Sequence, residues 1–188
     1  MKRTLPVNTR DRLLDAAEAV VIERGVNAMT LEAVAARAKV SKGGLLYHFP
    51  SKEAVVQGMV SRIASIVQER FASGLASEAP GPGRHARTML SLMMDTEGSL
   101  FPRLRRVAGP LLGAVASNPQ MLQPMQRFFQ RVYQGMLDDG LRRDRAWLVL
   151  AALDGLKFWR IFNILRPSQQ DLGELRFLLT RIIGEAYL

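Results

Sequence analysis

Apolar residues recur along this chain at helical spacing, and no stretch alternates apolar and polar residues as a half-buried strand would. Leu13, Leu14, Ala17, Val20 and Val21 fall on one face of a first helix, expected from about Thr9 to Arg24 with Gly25 as its stop. Leu31, Val34, Ala35 and Ala38 mark a short second helix, with Thr30 before it as cap and Glu32 against the positive end of its dipole. In the turn Ala38-Lys39-Val40-Ser41, Val40 is a small apolar plug and Ser41 caps a third helix, Lys42 to His48. Phe49 and Pro50 close it. From Ser51 a long fourth helix is expected to about Ala72, carrying Val55, Val56, Met59, Ile63, Ile66 and Val67.

The run SGLASEAPGPGR, Ser73 to Arg84, is rich in Gly, Pro and Ser and reads as a surface loop. Beyond it, helices are expected over about His85 to Glu97, Pro102 to Ser117 and Pro119 to Asp139, with Pro110 and Pro124 as kinks. Two more follow, from about Asp144 to Leu165 and from about Ser168 to Ala186. Asn118-Pro119, Asp139-Gly140 and Arg166-Pro167 punctuate them. The expectation is an all-α chain of about nine helices, with a three-helix head over residues 1–52 and a larger helical domain over 53–188.

The 188 residues are 48% hydrophobic, enough for a real core. Charge changes the picture more: the formal net charge is +9 and the pI about 10.8, which suits a polyanionic partner. Up to Lys52, nine Lys and Arg stand against five Asp and Glu, net +4, leaving 17 against 12, net +5, over a segment more than twice as long. Positive charge is densest in the head. Lys2, Arg3 and Arg10 form a basic arm that either follows a DNA backbone or is simply solvated. The absence of cysteine excludes disulfides, thiolate metal sites and a cysteine nucleophile, and fits a reducing cytoplasm. No apolar run long enough for a signal peptide follows the basic MKRTLPVNTR. Trp147 to Leu165 is the most apolar stretch, but Asp154, Lys157 and Arg160 interrupt it, as in a buried amphipathic helix.

The third helix is the odd one. Consecutive glycines at its opening, Gly43 and Gly44, each cost up to about 1 kcal/mol against Ala, so local stability does not explain them. Close approach of the helix to an anionic backbone does. Lys42, Tyr47, His48 and Lys52 surround it as candidate phosphate donors. The spacing is that of a helix-turn-helix, whose second helix enters the major groove.

Thr30, Val34-Ala35, Ala38, Val40-Ser41-Lys42-Gly43, Leu45, His48-Phe49 and Ser51-Lys52-Glu53 resemble the amino-terminal signature of the TetR family of one-component transcriptional regulators, most of which are repressors. The resemblance is specific over roughly residues 9 to 55 and architectural beyond. Three residues depart from it. Lys39 stands where the family has glycine, at a turn position expected to be left-handed, and brings a charge towards the DNA. Gly44 replaces a small hydroxyl residue or alanine, and Leu46 replaces a tyrosine, leaving only apolar contact to a thymine methyl. The DNA-binding set implied is Thr30, Lys39, Ser41, Lys42, Gly43, Gly44, Leu46, Tyr47, His48 and Lys52.

On the last helix Leu172, Leu175, Leu179, Ile182, Ile183 and Ala186 form an apolar stripe that Leu178 widens; the helix before it offers Leu150, Ala151, Gly155, Phe158 and Phe162. Such stripes serve either the monomer's own core or a four-helix interface with a symmetry mate. The resemblance implies the latter, with Ala151, Gly155, Leu175, Leu179, Ile182 and Ile183 as interface candidates, since a two-fold reader needs two heads about 34 Å apart. It also implies a pocket for a small, apolar effector; among the many Met and aromatic residues, Met93, Phe128, Trp159 and Phe162 are the candidates to line it. Arg103, Arg105 and Arg106 either receive an anionic effector or are a solvated face.

Two other classes compete with a ligand-responsive repressor that binds a palindromic operator as a dimer. An enzyme is one, but His48 and His85 are the only histidines, no nucleophile, paired-carboxylate or phosphate-loop motif accompanies them, and Asp154 is explained by pairing with Lys157 or Arg160. No catalytic residue, metal or cofactor is expected. The other is an architectural DNA-binding protein without an effector.

Overall fold

The structure, a computed structural model, describes residues 8–95 and 100–185. Lys2 and Arg3 of the basic arm, Glu97 and Ala186 lie outside the described residues, and so do the side chains of Arg103 and Arg105. Among the described residues there are nine α-helices and no strand: α1 (Thr9–Ala28), α2 (Leu31–Ala38), α3 (Lys42–His48), α4 (Lys52–Ser77), α5 (Arg84–Met94), α6 (Leu100–Ser117), α7 (Gln123–Asp138), α8 (Arg143–Phe162) and α9 (Gln169–Gly184). A 3-10 turn, Pro119–Leu122, precedes α7.

Local chemistry sets most of the boundaries. Gly25 breaks α1 at φ 78° and ψ 161°, a backbone state that favours glycine, and a last turn follows to Ala28. α4 outruns its expected end at Ala72 and continues to Ser77. Gly74, which weakens a helix in isolation, here lets α5 approach: a Cβ on it would lie 3.2 Å from Thr88 Cγ2. The loop shrinks to residues 78–83, gathered by Arg87, whose guanidinium donates to the Glu78 carboxylate and to the carbonyls of Ala79 and Pro82. Pro124 falls in the first turn of α7, where its missing N–H costs nothing, so it starts a helix rather than kinking one. α8 stops at Phe162 because Asn163 turns left-handed, at φ 55°. α9 begins with a capping box: the Asp171 N–H donates to Ser168 Oγ at 3.1 Å, and the Ser168 N–H donates to the Asp171 carboxylate at 2.7 Å.

The chain packs as two units. Among the described residues, the first holds 8–63 and 106–123. Its core joins Leu13, Leu14, Ala17 and Val21 of α1 to Val34, Ala35 and Ala38 of α2, Leu45, Phe49, and Val55, Val56, Met59 and Val60 of α4. Val107 and Leu111 of α6 and Met121 complete the cluster. The first turns of α4 and the end of α6 thus bury their apolar residues in the same cluster. Gly58 lets α4 settle on the head; a Cβ there would lie 2.7 Å from Phe49 and 2.9 Å from Leu14. Arg62 fastens α4 to α1, donating to Asp15 at 2.7 Å and Glu18 at 2.5 Å.

Among the described residues, the second unit holds 64–95, 100–105 and 124–185. In it α5 packs on α8 and α9, and these pack on each other. Phe71, Met89, Met93, Phe128, Val132, Met136, Leu153, Leu179 and Ile183 are buried there. His85 Nδ1 lies 2.9 Å from the Asp139 carboxylate. The ring seats where Gly135 leaves room, since a Cβ at that position would fall 2.4 Å from the imidazole. Among the described residues no helix is long and apolar enough to cross a membrane.

Candidate nucleic-acid interface

The interface is built from α2, the turn after it and α3, and each is fixed by its caps. Thr30 Oγ1 accepts from the Ala33 N–H at 3.2 Å, which starts α2. Lys39 ends α2 in the left-handed conformation, φ 54° and ψ 47°, with its N–H donated to Ala36 O at 3.1 Å. The next amide, of Val40, donates to Ala35 O at 3.0 Å, so the carbonyls of Ala35 and Ala36 are both met. Ser41 Oγ accepts from the Gly44 N–H at 3.0 Å and starts α3.

Only Leu45 of α3 is buried, with no exposed surface. A seven-residue helix does not hold itself together in water, so this anchor, contributing roughly 2 kcal/mol, together with Phe49 at the helix end, keeps α3 in place. The other side chains are left for a partner. Tyr47 is 86% exposed, an unusual position for a large aromatic unless something is to cover it. Leu46 is exposed beside it, and His48, partly exposed, meets the Tyr47 ring edge-on at 5.2 Å.

The two glycines part company. Nothing lies within 4 Å of where a Gly43 Cβ would stand, whereas a Cβ on Gly44 would fall 2.8 Å from Val40 Cγ1 and 3.2 Å from Ser41 Oγ. A side chain at Gly44 would therefore have to displace Val40, whereas position 43 is open.

Of the expected phosphate donors, Lys42 is engaged by Glu32, Nζ to Oε1 at 2.7 Å. The Lys42 hydrogen bond, then the backbone N–H and the Lys42 charge, hold the Glu32 carboxyl below its usual range, so it is ionised at neutral pH. Lys52 donates to Asn27 O at 2.8 Å and lines a cleft of about 180 Å³ with Val56, Ser117 and Met121, apart from the α3 surface. Arg10 lies over the Phe49 ring at 5.2 Å. Glu32 is the residue of this surface that the sequence reading used only as a dipole partner. Its link to Lys42 spans ten positions across a turn, which helical periodicity does not register.

The residues expected in the second domain divide. Met93 and Phe128 are each 3% exposed and belong to the core, where Phe128 meets Phe71 and Phe129 edge-on. Trp159 is exposed, and Phe162 is partly exposed against Phe158. Of the interface candidates, Ala151 is exposed and Gly155, Leu175 and Ile182 are partly so. Leu179 and Ile183, at 1% exposure each, are buried in the unit's own core. The large apolar residues left outward are Trp147, Leu148, Phe158 and Trp159 on α8 and Phe177 and Leu178 on α9. Asp154 pairs with Lys157 at 2.6 Å, the simpler of its two accounts.

Set against known proteins, residues 13–59 match the family model of bacterial regulatory proteins, tetR family, and residues 83–184, more than half of the chain, match that of the tetracyclin repressor-like C-terminal domain. The chain is 26% identical over 150 residues to the HTH-type transcriptional repressor DhaR of Mycobacterium sp. (strain GP1), covering 76% of this chain and 74% of that protein. It is 34% identical over 84 residues to the HTH-type transcriptional repressor BepR of Brucella suis biovar 1 (strain 1330), a match over 44% of this chain that spans only 40% of BepR. Among solved structures, the multidrug binding protein EbrR complexed with ethidium matches at a TM-score of 0.67 and 21% identity, over 94% of this chain and 98% of that one, a likeness of fold.

Proposed function

The chain belongs to the TetR family of bacterial regulatory proteins, which are DNA-binding transcriptional regulators and not enzymes, and on that footing we propose that it is a ligand-responsive repressor acting as a homodimer in the cytoplasm. Two copies of α3 enter successive major grooves of a near-palindromic operator. Tyr47, His48, Leu46, Lys42 and the Lys39 turn meet the DNA, Gly43 permits the approach, and Thr30, Ser41 and Gly44 hold the geometry. Lys52 keeps two of its three ammonium protons for a phosphate. The observation that carries this reading is the surface of α3, which buries a single residue and leaves an aromatic, an imidazole and a lysine outward.

Dimerisation through the outward residues of α8 and α9 brings two heads to one operator. An apolar effector held in the second unit then favours an arrangement whose head spacing no longer fits, at a coupling of about 1 to 3 kcal/mol, or about 5 to 150-fold in DNA affinity. The ethidium in EbrR supports a small, largely apolar effector, with Met93, Phe128, Trp159 and Phe162 as the residues to test. α4 is the lever, since one continuous helix supplies residues to both units. Replacing Lys42 and Tyr47 together by Ala is expected to abolish binding to a DNA duplex selected by the wild type while the melting curve stays unchanged; retained binding would show that α3 is not the reading helix. Equal binding to every duplex, with a steep salt dependence, would mark an architectural protein instead.

A further inference from the structure

Glu32 is an acid placed on a surface that is otherwise basic. It is the sole acidic residue of α2, and its partner across the turn is Lys42. Its carboxylate pairs with Lys42 at 2.7 Å, and both side chains are open to solvent, 63% and 59% exposed. An ion pair so exposed adds little to stability, so the fold does not explain it. A surface meant only to hold DNA by charge gains nothing from it: the pair cancels one of the positive charges nearest the α3 N-terminus.

Resting on the reading of α3 as the DNA-contacting helix, we propose that Glu32 is a specificity determinant, acting with Lys42 as a two-headed probe that rejects phosphate and accepts a G·C base pair. When Lys42 moves to a phosphate, it leaves an ionised carboxylate unpaired beside the same anion. When the pair meets a base edge in the major groove, the ammonium donates to guanine O6 or N7 and the carboxylate accepts from the cytosine amino group. Neither charge is then stranded. Glu32 thus weakens complexes held by phosphates alone and spares the one in which a G·C pair is correctly placed.

The test uses the intact protein and two duplexes of equal length and composition: one enriched by the wild type from a random pool, the other a shuffled version of it. Glu32→Gln keeps the side chain's shape and removes its charge. It is expected to bind the shuffled duplex about 2- to 5-fold more tightly, to lower the ratio of selected to shuffled affinity at least about 5-fold, and to relax the preference for G·C at one position in each half-site. In a Lys42→Gln background the same change is expected to lose most of its effect, because the probe is already broken. An equal gain for both duplexes, no gain for either, or an unchanged effect without Lys42 would overturn the inference while leaving α3 as the reading helix. A wild type that enriches no sequence would remove that reading, and this inference with it.

Discussion

At the scale of single residues, the turn between α2 and α3 carries the strain of this head. Lys39 occupies the left-handed region without being glycine or asparagine, which costs on the order of 1 kcal/mol. Lys39→Gly is expected to leave the melting midpoint unchanged or raise it, since relief of strain is offset by the freer unfolded chain, and to reduce the salt dependence of DNA binding by up to about one phosphate contact. Melting curves and titrations at several salt concentrations read the two effects separately. Gly43 and Gly44 should behave oppositely. Ala at 43 meets open space and gains helix propensity, about 0.5 to 1 kcal/mol; Ala at 44 must displace a stiff β-branched Val40 and is expected to destabilise by about 1 to 3 kcal/mol. Helical spacing does not tell the two adjacent glycines apart, because what separates them in packing is the position of the Val40 methyl, a consequence of the turn.

At the scale of elements, the short helices were legible to within a residue, since α2 and α3 announce themselves by Thr30, Ser41 and a single apolar face each. Longer elements were legible only in kind. The continuation of α4 to Ser77 runs against the composition of Ser73 to Ser77; it depends on the close seat of Gly74 against Thr88. Periodicity likewise found the stripe of α9 without saying which side of it faces in: Leu172, Leu179 and Ile183 turn inward, while Leu178 stays out. The contribution of α6 to the head was not legible at all, because Val107, Leu111 and Met121 reach that core from more than forty positions away. A fragment ending at residue 63 lacks all three, each worth roughly 1.5 to 3 kcal/mol, and is expected to melt broadly and early by circular dichroism. α9 offers a pH test. The Ser168 hydroxyl, then its backbone N–H, hold the Asp171 carboxyl below its usual range. A depressed carboxylate stabilises fully above its unfolded value and loses that effect as pH falls through the folded one. Ser168→Ala is therefore expected to lower the melting midpoint by about 2 to 4 °C at neutral pH, with the gap closing on acidification.

At the scale of the whole molecule, the account joins a basic head to a dimer and an effector, and the first two links are open to direct test. Leu178 is half exposed and its neighbour Leu179 is buried, so charge at the two positions should do different things. Leu178→Lys is expected to keep the melting curve and shift sedimentation towards monomer; Leu179→Lys is expected to unfold the second unit. A net charge of +9 favours any DNA, and only recognition by α3 turns that attraction into regulation. The most direct measurement is selection of duplex DNA from a random pool by the purified protein at physiological salt, run beside the Lys42→Ala, Tyr47→Ala double variant. The wild type is expected to enrich a palindrome with half-site centres about one or two helical turns apart, and the variant nothing. Enrichment of the same palindrome by both proteins, or of no sequence by either, would contradict it.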